Sequence, residues 1–126
     1  MIDNQLEKYD KSEEINVGDL LTYAPHTNKV TRAVCRKWKE VDTVDVIGVC
    51  TNINDNKISF SNNGIVDVNV KGLICLGDEL MVSDSFGIAK AIKYEQDETK
   101  FKFRHIGKVV GLYNDYKKVK VLLDIE

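Results

Sequence analysis

Residues 73–92 read LICLGDELMVSDSFGIAKAI, which sets two carboxylates (Asp78, Asp84) and two hydroxyls (Ser83, Ser85) close together between Gly77 and Gly87. Such a cluster is either a reactive site or a pair of tight turns. The comparison comes from residues 17–34, VGDLLTYAPHTNKVTRAV. The Gly-Asp-x-Leu series starts at Gly18 and again at Gly77, 59 residues apart. VIGVC (46–50) and HIGKV (105–109) repeat that spacing through Gly48 and Gly107, and KVTRA and GIAKA fill similar slots with Ala33 and Ala91 58 residues apart. This is the pattern of a duplicated β unit. A catalytic Asp78 would leave Asp19 unexplained behind the same glycine and ahead of the same leucine. A turn explains both, with glycine freeing the backbone, aspartate bonding nearby N–H groups and leucine returning to the core. Gly18, Asp19, Gly77 and Asp78 are read as structural turn residues.

From Ile15 onward the apolar residues fall into short runs rich in Val, Ile and Thr, broken by Gly, Asn, Asp or Ser, as short strands require. IVDVNV (65–70) alternates so that Ile65 opposes Val66, Val68 and Val70, and KVKVLL (118–123) separates Val119 and Val121 from Lys118 and Lys120. Each strand therefore has one wet face. Asn63-Gly64 is the strongest short hairpin signal, INDNKI (53–58) is a second turn, and Pro25 closes the strand before it. The expected fold is mainly β. Residues 15–126 form a single compact antiparallel β-barrel or β-sandwich-like domain of two pseudo-repeated units, and residues 1–14 a flexible N-terminal arm whose large apolar groups are Ile2, Leu6 and Tyr9.

The 126 residues carry 43% hydrophobic and 30% charged side chains with a formal charge of −2, which suits one globular domain and argues against a phosphate-backbone partner. No apolar run approaches the roughly 20 residues of a membrane span, and the first residues lack the apolar core of a signal peptide. The expectation is a cytosolically made protein with neither nucleic acid nor membrane as partner. Cys35, Cys50 and Cys75 are widely spaced, His26 and His105 isolated. Without paired ligand spacings these are expected to be buried, reduced thiols, with no metal and no cofactor.

Four chemical readings compete with construction. Ser83 or Ser85, Asp84 and His105 spell a hydrolase on paper, but no G-x-S-x-G elbow is present. NINDNKIS lacks the carboxylate series of a calcium loop. KGLICLGDELMVSD resembles the half-motif of biotinyl and lipoyl carrier domains, whose lysine sits at a hairpin tip; here the tip is SDSFG and Lys90 lies inside the next apolar run. KFKFRH alternates Phe101 and Phe103 with Lys100, Lys102 and Arg104, as a half-buried strand does as readily as a base-stacking platform. Catalytic residues are expected to be none. Leu6, Tyr9 and Trp38 are the candidate partner contacts, Trp38 standing among cations in RKWK.

On VGDLLTYAPHTNKVTRAV, DVIGVCTNI, VDVNVKGLICLGDELMVSDSFGIAKAI and IGKVVGLYNDYKKVKVLLDI, the chain resembles small β-rich structural proteins of tailed bacteriophages. Head-decoration proteins show this order of Gly-Asp-hydrophobic turn, strand, v-G-V strand and V-x-V-x-G. The C-terminal half is also similar to β modules of tail fibres and neck appendages. The resemblance spans roughly residues 15–125 and rests on turn and strand grammar. It implies a non-enzymatic virion protein made in the host cytoplasm that decorates and reinforces the capsid, with the major capsid protein or other virion proteins as partners and self-association possible. A tail, baseplate or fibre component is the alternative, and a small hydrolase or carrier domain the alternative of another class.

Overall fold

The structure, a computed structural model, describes residues 4–34, 46–94 and 105–125. Its strands are β1 (Asn4–Glu7), β2 (Leu20–Tyr23), β3 (Val30–Arg32), β4 (Gly48–Asn54), β5 (Lys57–Ser61), β6 (Asn63–Asn69), β7 (Glu79–Val82), β8 (Ala89–Ala91), β9 (His105–Leu112) and β10 (Lys118–Asp124), with one 3₁₀ turn at Ile92–Tyr94. They form two antiparallel five-stranded sheets, ordered β1-β5-β4-β2-β3 and β6-β10-β9-β7-β8. The two orders are one permutation used twice. Neither sheet closes into a barrel; among the described residues the first strand meets the third through one parallel bridge, Lys8–Val30 in one sheet and Val70–Ala89 in the other. The arrangement is sandwich-like.

The duplication is visible in the hydrogen-bond register itself. Leu21–Arg32, Thr22–Thr31 and Tyr23–Val30 pair in the first unit, and Leu80–Ala91, Met81–Lys90 and Val82–Ala89 in the second, each residue displaced by 59. Leu20–Val49 and Leu21–Gly48 likewise become Glu79–Lys108 and Leu80–Gly107. The equivalent of Ala91 is thus Arg32, one residue away from the alanine that the sequence pattern suggests. Gly48 and Gly107 sit where strands approach too closely for a side chain: a Cβ on Gly48 would lie 2.6 Å from the Phe60 ring and 2.8 Å from the Ser61 carbonyl, and one on Gly107 would strike the Leu122 carbonyl.

Two sequence expectations are corrected here. The segment read as a flexible arm carries, at Asn4–Glu7, the first strand of the first unit. β1 is the counterpart of β6: each strand lies beside the last strand of its own sheet, with Leu6 in the place that Val68 takes 62 residues later. Lys8 N–H donates to the Asn56 carbonyl and Tyr9 N–H to Val30, both at 2.9 Å, while Leu6 packs on the first unit's core. Nor do Asn63 and Gly64 turn a hairpin. Both edges of β5 are taken, by β1 and β4, so the chain crosses to the other sheet, where Asn63 pairs with Asp124 and Gly64 with Leu123. The tight hairpin is β4–β5, where Asn54 pairs with Lys57 and Asp55 takes a left-handed φ of 55°.

Alternation fills the interior as expected. Along β10, Val119, Val121 and Leu123 are buried while the lysines and Leu122 face out. One cluster, Ile15, Leu21, Val30, Cys50 and Ile58, belongs to the first unit. The larger one contains the second unit's interior together with Leu20, Ala33, Val46 and Val49 from the first. These four join the units, and burying Leu20 and Val49 contributes about 2 kcal/mol each. Their equivalents Glu79, Ile92, His105 and Lys108 are exposed or half-buried.

Polar contacts complete the junction. In both Gly-Asp turns the carboxylate folds back, Asp19 Oδ2 accepting Asn16 N–H at 2.9 Å and Asp78 Oδ2 accepting Cys75 N–H at 2.8 Å. Only the first turn meets the other unit. Asn69 donates its side-chain N–H groups to Asp19 Oδ1 (2.9 Å) and the Val17 carbonyl (3.1 Å), and its main-chain N–H to the Gly18 carbonyl (3.0 Å). Gly87 adds two main-chain bonds, donating to Ala33 (2.7 Å) and accepting from Leu20 (2.9 Å). Burial pushes the Asp19 carboxyl above its ordinary range, against the pull of these donors.

Gly18 and Gly77 share a left-handed φ (94° and 85°), but a Cβ on Gly18 would stand 2.9 Å from Asn69 Oδ1 whereas one on Gly77 meets nothing within 4 Å. Gly77→Ala should cost only the backbone strain, about 1 kcal/mol. Gly18→Ala should cost visibly more, lowering Tm by roughly a further 5 °C for each kcal/mol of crowding; equal melting temperatures would show that the junction does not press on this turn. Deleting residues 1–14 should also lower Tm, since it strips β1 from β5 and removes the Glu13 carboxylate from Thr31 and Arg32. An unchanged melting curve would mean that β1 adds nothing to the fold.

Candidate docking surface

The structure gathers three of the four hydrolase candidates, but as a turn. Ser83 is fully buried; its hydroxyl donates to the Ile88 carbonyl at 2.6 Å and accepts Ser85 N–H at 3.1 Å, closing the β7–β8 connection. Asp84 is exposed and ion-paired to Lys71, whose hydrogen bond holds the carboxyl below its ordinary range, and the same ammonium donates to Ser85 Oγ at 3.1 Å. His105 stands on β9 opposite Met81, and its buried Nε2 meets no partner among the described residues. No hydrogen bond links it to the serines or to Asp84. Lys90 lies in β8, away from the hairpin tip. Among the described residues no three His, Cys, Asp or Glu side chains gather as metal ligands, and no helix is long and apolar enough to cross a membrane.

Of the candidate contacts, Leu6 is half-buried in its own unit and Tyr9 is exposed. Trp38, Cys35 and residues 100–104 lie outside the described residues. The thiols differ from one another. Cys50 is buried, and burial pushes its thiol up to about 11. Cys75 is exposed, which corrects the expectation of a buried thiol there: it precedes the second Gly-Asp turn, on the side that the junction leaves open.

The most interface-like surface is one that the sequence reading did not single out. On the outer face of the second sheet Ile65 and Leu122 are directly opposed across β6 and β10, 62% and 48% exposed, with Val110 nearby on β9. Val110 is the extra residue of a bulge, because Lys120 pairs with Gly111 and Val121 with Val109. Charged groups surround the stripe, among them Lys108, Lys120 and Asp67. At its margin an open groove of about 440 Å³ runs between Val17, Cys50 and Thr51 of the first unit and Ile65, Val66, Asp67, Tyr113 and Lys120 of the second. Tyr113 donates its hydroxyl to Asp67 Oδ1 at 2.6 Å, a bond that raises the phenol above its ordinary range. The Lys118 and Lys120 ammonium groups stand 5.3 and 5.7 Å from the Tyr113 ring centroid.

β6 is an edge strand. Val70 N–H bonds the Lys117 carbonyl, so the main-chain groups of Val68 and Val66 face β10 in turn, and by alternation those of Ile65 and Asp67 face the open edge. Asn69 N–H, bonded to Gly18, follows the same alternation. An exposed apolar stripe with a polar rim and an adjacent strand edge has the composition of an interface centre. The groove escaped sequence reading because its walls lie some 50 positions apart, while Ile65 and Leu122 read simply as outward positions of alternating strands.

No family model matches the sequence, and neither a curated protein nor a solved structure matches it.

The two described thiols should differ in reactivity. In native protein near pH 8 an alkylating reagent should label Cys75 and spare Cys50 until denaturant is added, as read by peptide mass mapping. Labelling of Cys50 at the rate of Cys75 would contradict its burial.

Proposed function

We propose that this chain is a non-enzymatic structural module that docks on a larger assembly, and that the assembly is a bacteriophage virion whose capsid shell it decorates and reinforces. The observation that supports docking is the Ile65–Leu122 stripe, an exposed apolar pair with Val110 nearby and charged groups around it, set beside an open strand edge. The support for a virion is the resemblance in turn and strand grammar over roughly residues 15–125. A small rigid module gains strength on a lattice through copy number, since many weak contacts act together. The serines and Asp84 that suggest hydrolysis are engaged in their own turn.

The test is co-sedimentation of purified, labelled protein with separated phage heads and tails. Binding to heads is expected, and Ile65→Lys or Leu122→Lys should abolish it with little change in Tm, because both positions face solvent. Binding to tails alone would move the protein to the tail, baseplate or fibre. Binding to neither would overturn the virion reading, and undiminished binding by both lysine variants would overturn the stripe as the docking face.

A further inference from the structure

The duplication places two copies of one turn in the same chain, and the structure shows one copy occupied. Around Gly18–Asp19 the occupant is the end of an extended strand, Val68-Asn69-Val70. Its asparagine satisfies three acceptors: the Gly18 carbonyl, the Val17 carbonyl and Asp19 Oδ1. In the second unit those acceptors are the Gly77 carbonyl, the Leu76 carbonyl and Asp78 Oδ1. The turn is built the same way: Gly77 N–H bonds Val109 as Gly18 N–H bonds Cys50, and Asp78 N–H bonds Cys75 as Asp19 N–H bonds Asn16. Lys93 takes the other carboxylate oxygen, Oδ2, at 2.9 Å. Among the described residues nothing donates to Asp78 Oδ1 or to the Gly77 carbonyl.

Space is present as well. An open groove of about 360 Å³ lies against Gly77, Asp78, Glu79, Ile92, Lys93 and Lys108. Several of these occupy the positions that in the first unit are covered by the other half of the molecule, Glu79 and Lys108 standing for Leu20 and Val49, Ile92 for Ala33. We infer that the Gly77–Asp78 turn is a binding site for an extended polypeptide segment bearing a side-chain carboxamide, held as Asn69 is held at the first turn. The carboxamide supplies N–H donors to an ionised carboxylate, a charge-assisted pairing, and the segment's own main-chain N–H reaches the glycine carbonyl. The charged floor gives up the apolar burial that makes the internal junction permanent, so the association is reversible. This site shares only Lys108 with the rim of the Ile65–Leu122 stripe and stands whether or not that face docks.

The probe is the peptide acetyl-VDVNVK-amide, which copies residues 66–71, titrated into the full-length protein and followed by backbone NMR. The expected result is saturable binding with the largest shifts at residues 76–79. Asp78→Ala should weaken binding at least tenfold, and so should a peptide with aspartate in place of its asparagine, which sets carboxylate against carboxylate and leaves the protein unaltered. No saturable binding to the natural chain, equal binding by Asp78→Ala, or shifts confined to residues 17–20 would each overturn the assignment.

Discussion

The fold turns on a carboxylate that water has been made to leave. Asp19 is 3% exposed, at the seam where two five-stranded sheets meet. An unpartnered carboxylate there would be costly, and the donors that offset the cost come from both units, Asn16 from its own and Asn69 from the other. Gly87 is required on the far side because a Cβ would stand 2.9 Å from the Asp19 carboxyl carbon. The seam thus specifies alignment as well as contact: a slip of one residue would leave a buried charge without its amide. Apolar burial by Leu20 and Val49 supplies adhesion, and the polar triad supplies position.

Legibility followed periodicity. The 59-residue duplication was present in a handful of letters because the positions that cannot vary freely, Gly18 and Gly77, Gly48 and Gly107, answer to backbone geometry and strand approach. The alternation of β6 and β10 announced which side of each strand is wet. β1 was not legible, since a four-residue strand on a sheet edge needs only one apolar side chain, Leu6, and its neighbours read as solvated terminus. Asn63-Gly64 misled for the opposite reason. The dipeptide has the right chemistry for a hairpin, but a hairpin also needs a free edge on the preceding strand, and sheet order is a tertiary property. The docking groove required both units in place before it existed.

The cluster at residues 78–85 shows how identical side chains divide between construction and availability. Ser83, Ser85 and Asp84 are used up in holding one turn and its lysine. Asp78, by contrast, performs its turn-closing task with one oxygen, shared with Lys93, and its other oxygen meets no donor among the described residues. Its twin at position 19 has both engaged. A carboxylate's role here is set by what the duplication placed beside it.

The exchange of Leu20 and Val49 for Glu79 and Lys108 also sets the cost of stacking a further unit in the same manner. A chain of like units joined by an apolar face grows without limit unless its last member presents a surface that resists the next, and solenoid proteins meet this need with polar end-caps. Here the cap is built into the second copy. By strand register the position equivalent to Asn69 in the first unit is Glu7, so a second molecule brought up in the same manner would set Glu7 against Asp78 and bury Glu79 and Lys108. A further unit stacked in this way would therefore meet charge where the internal junction meets apolar surface.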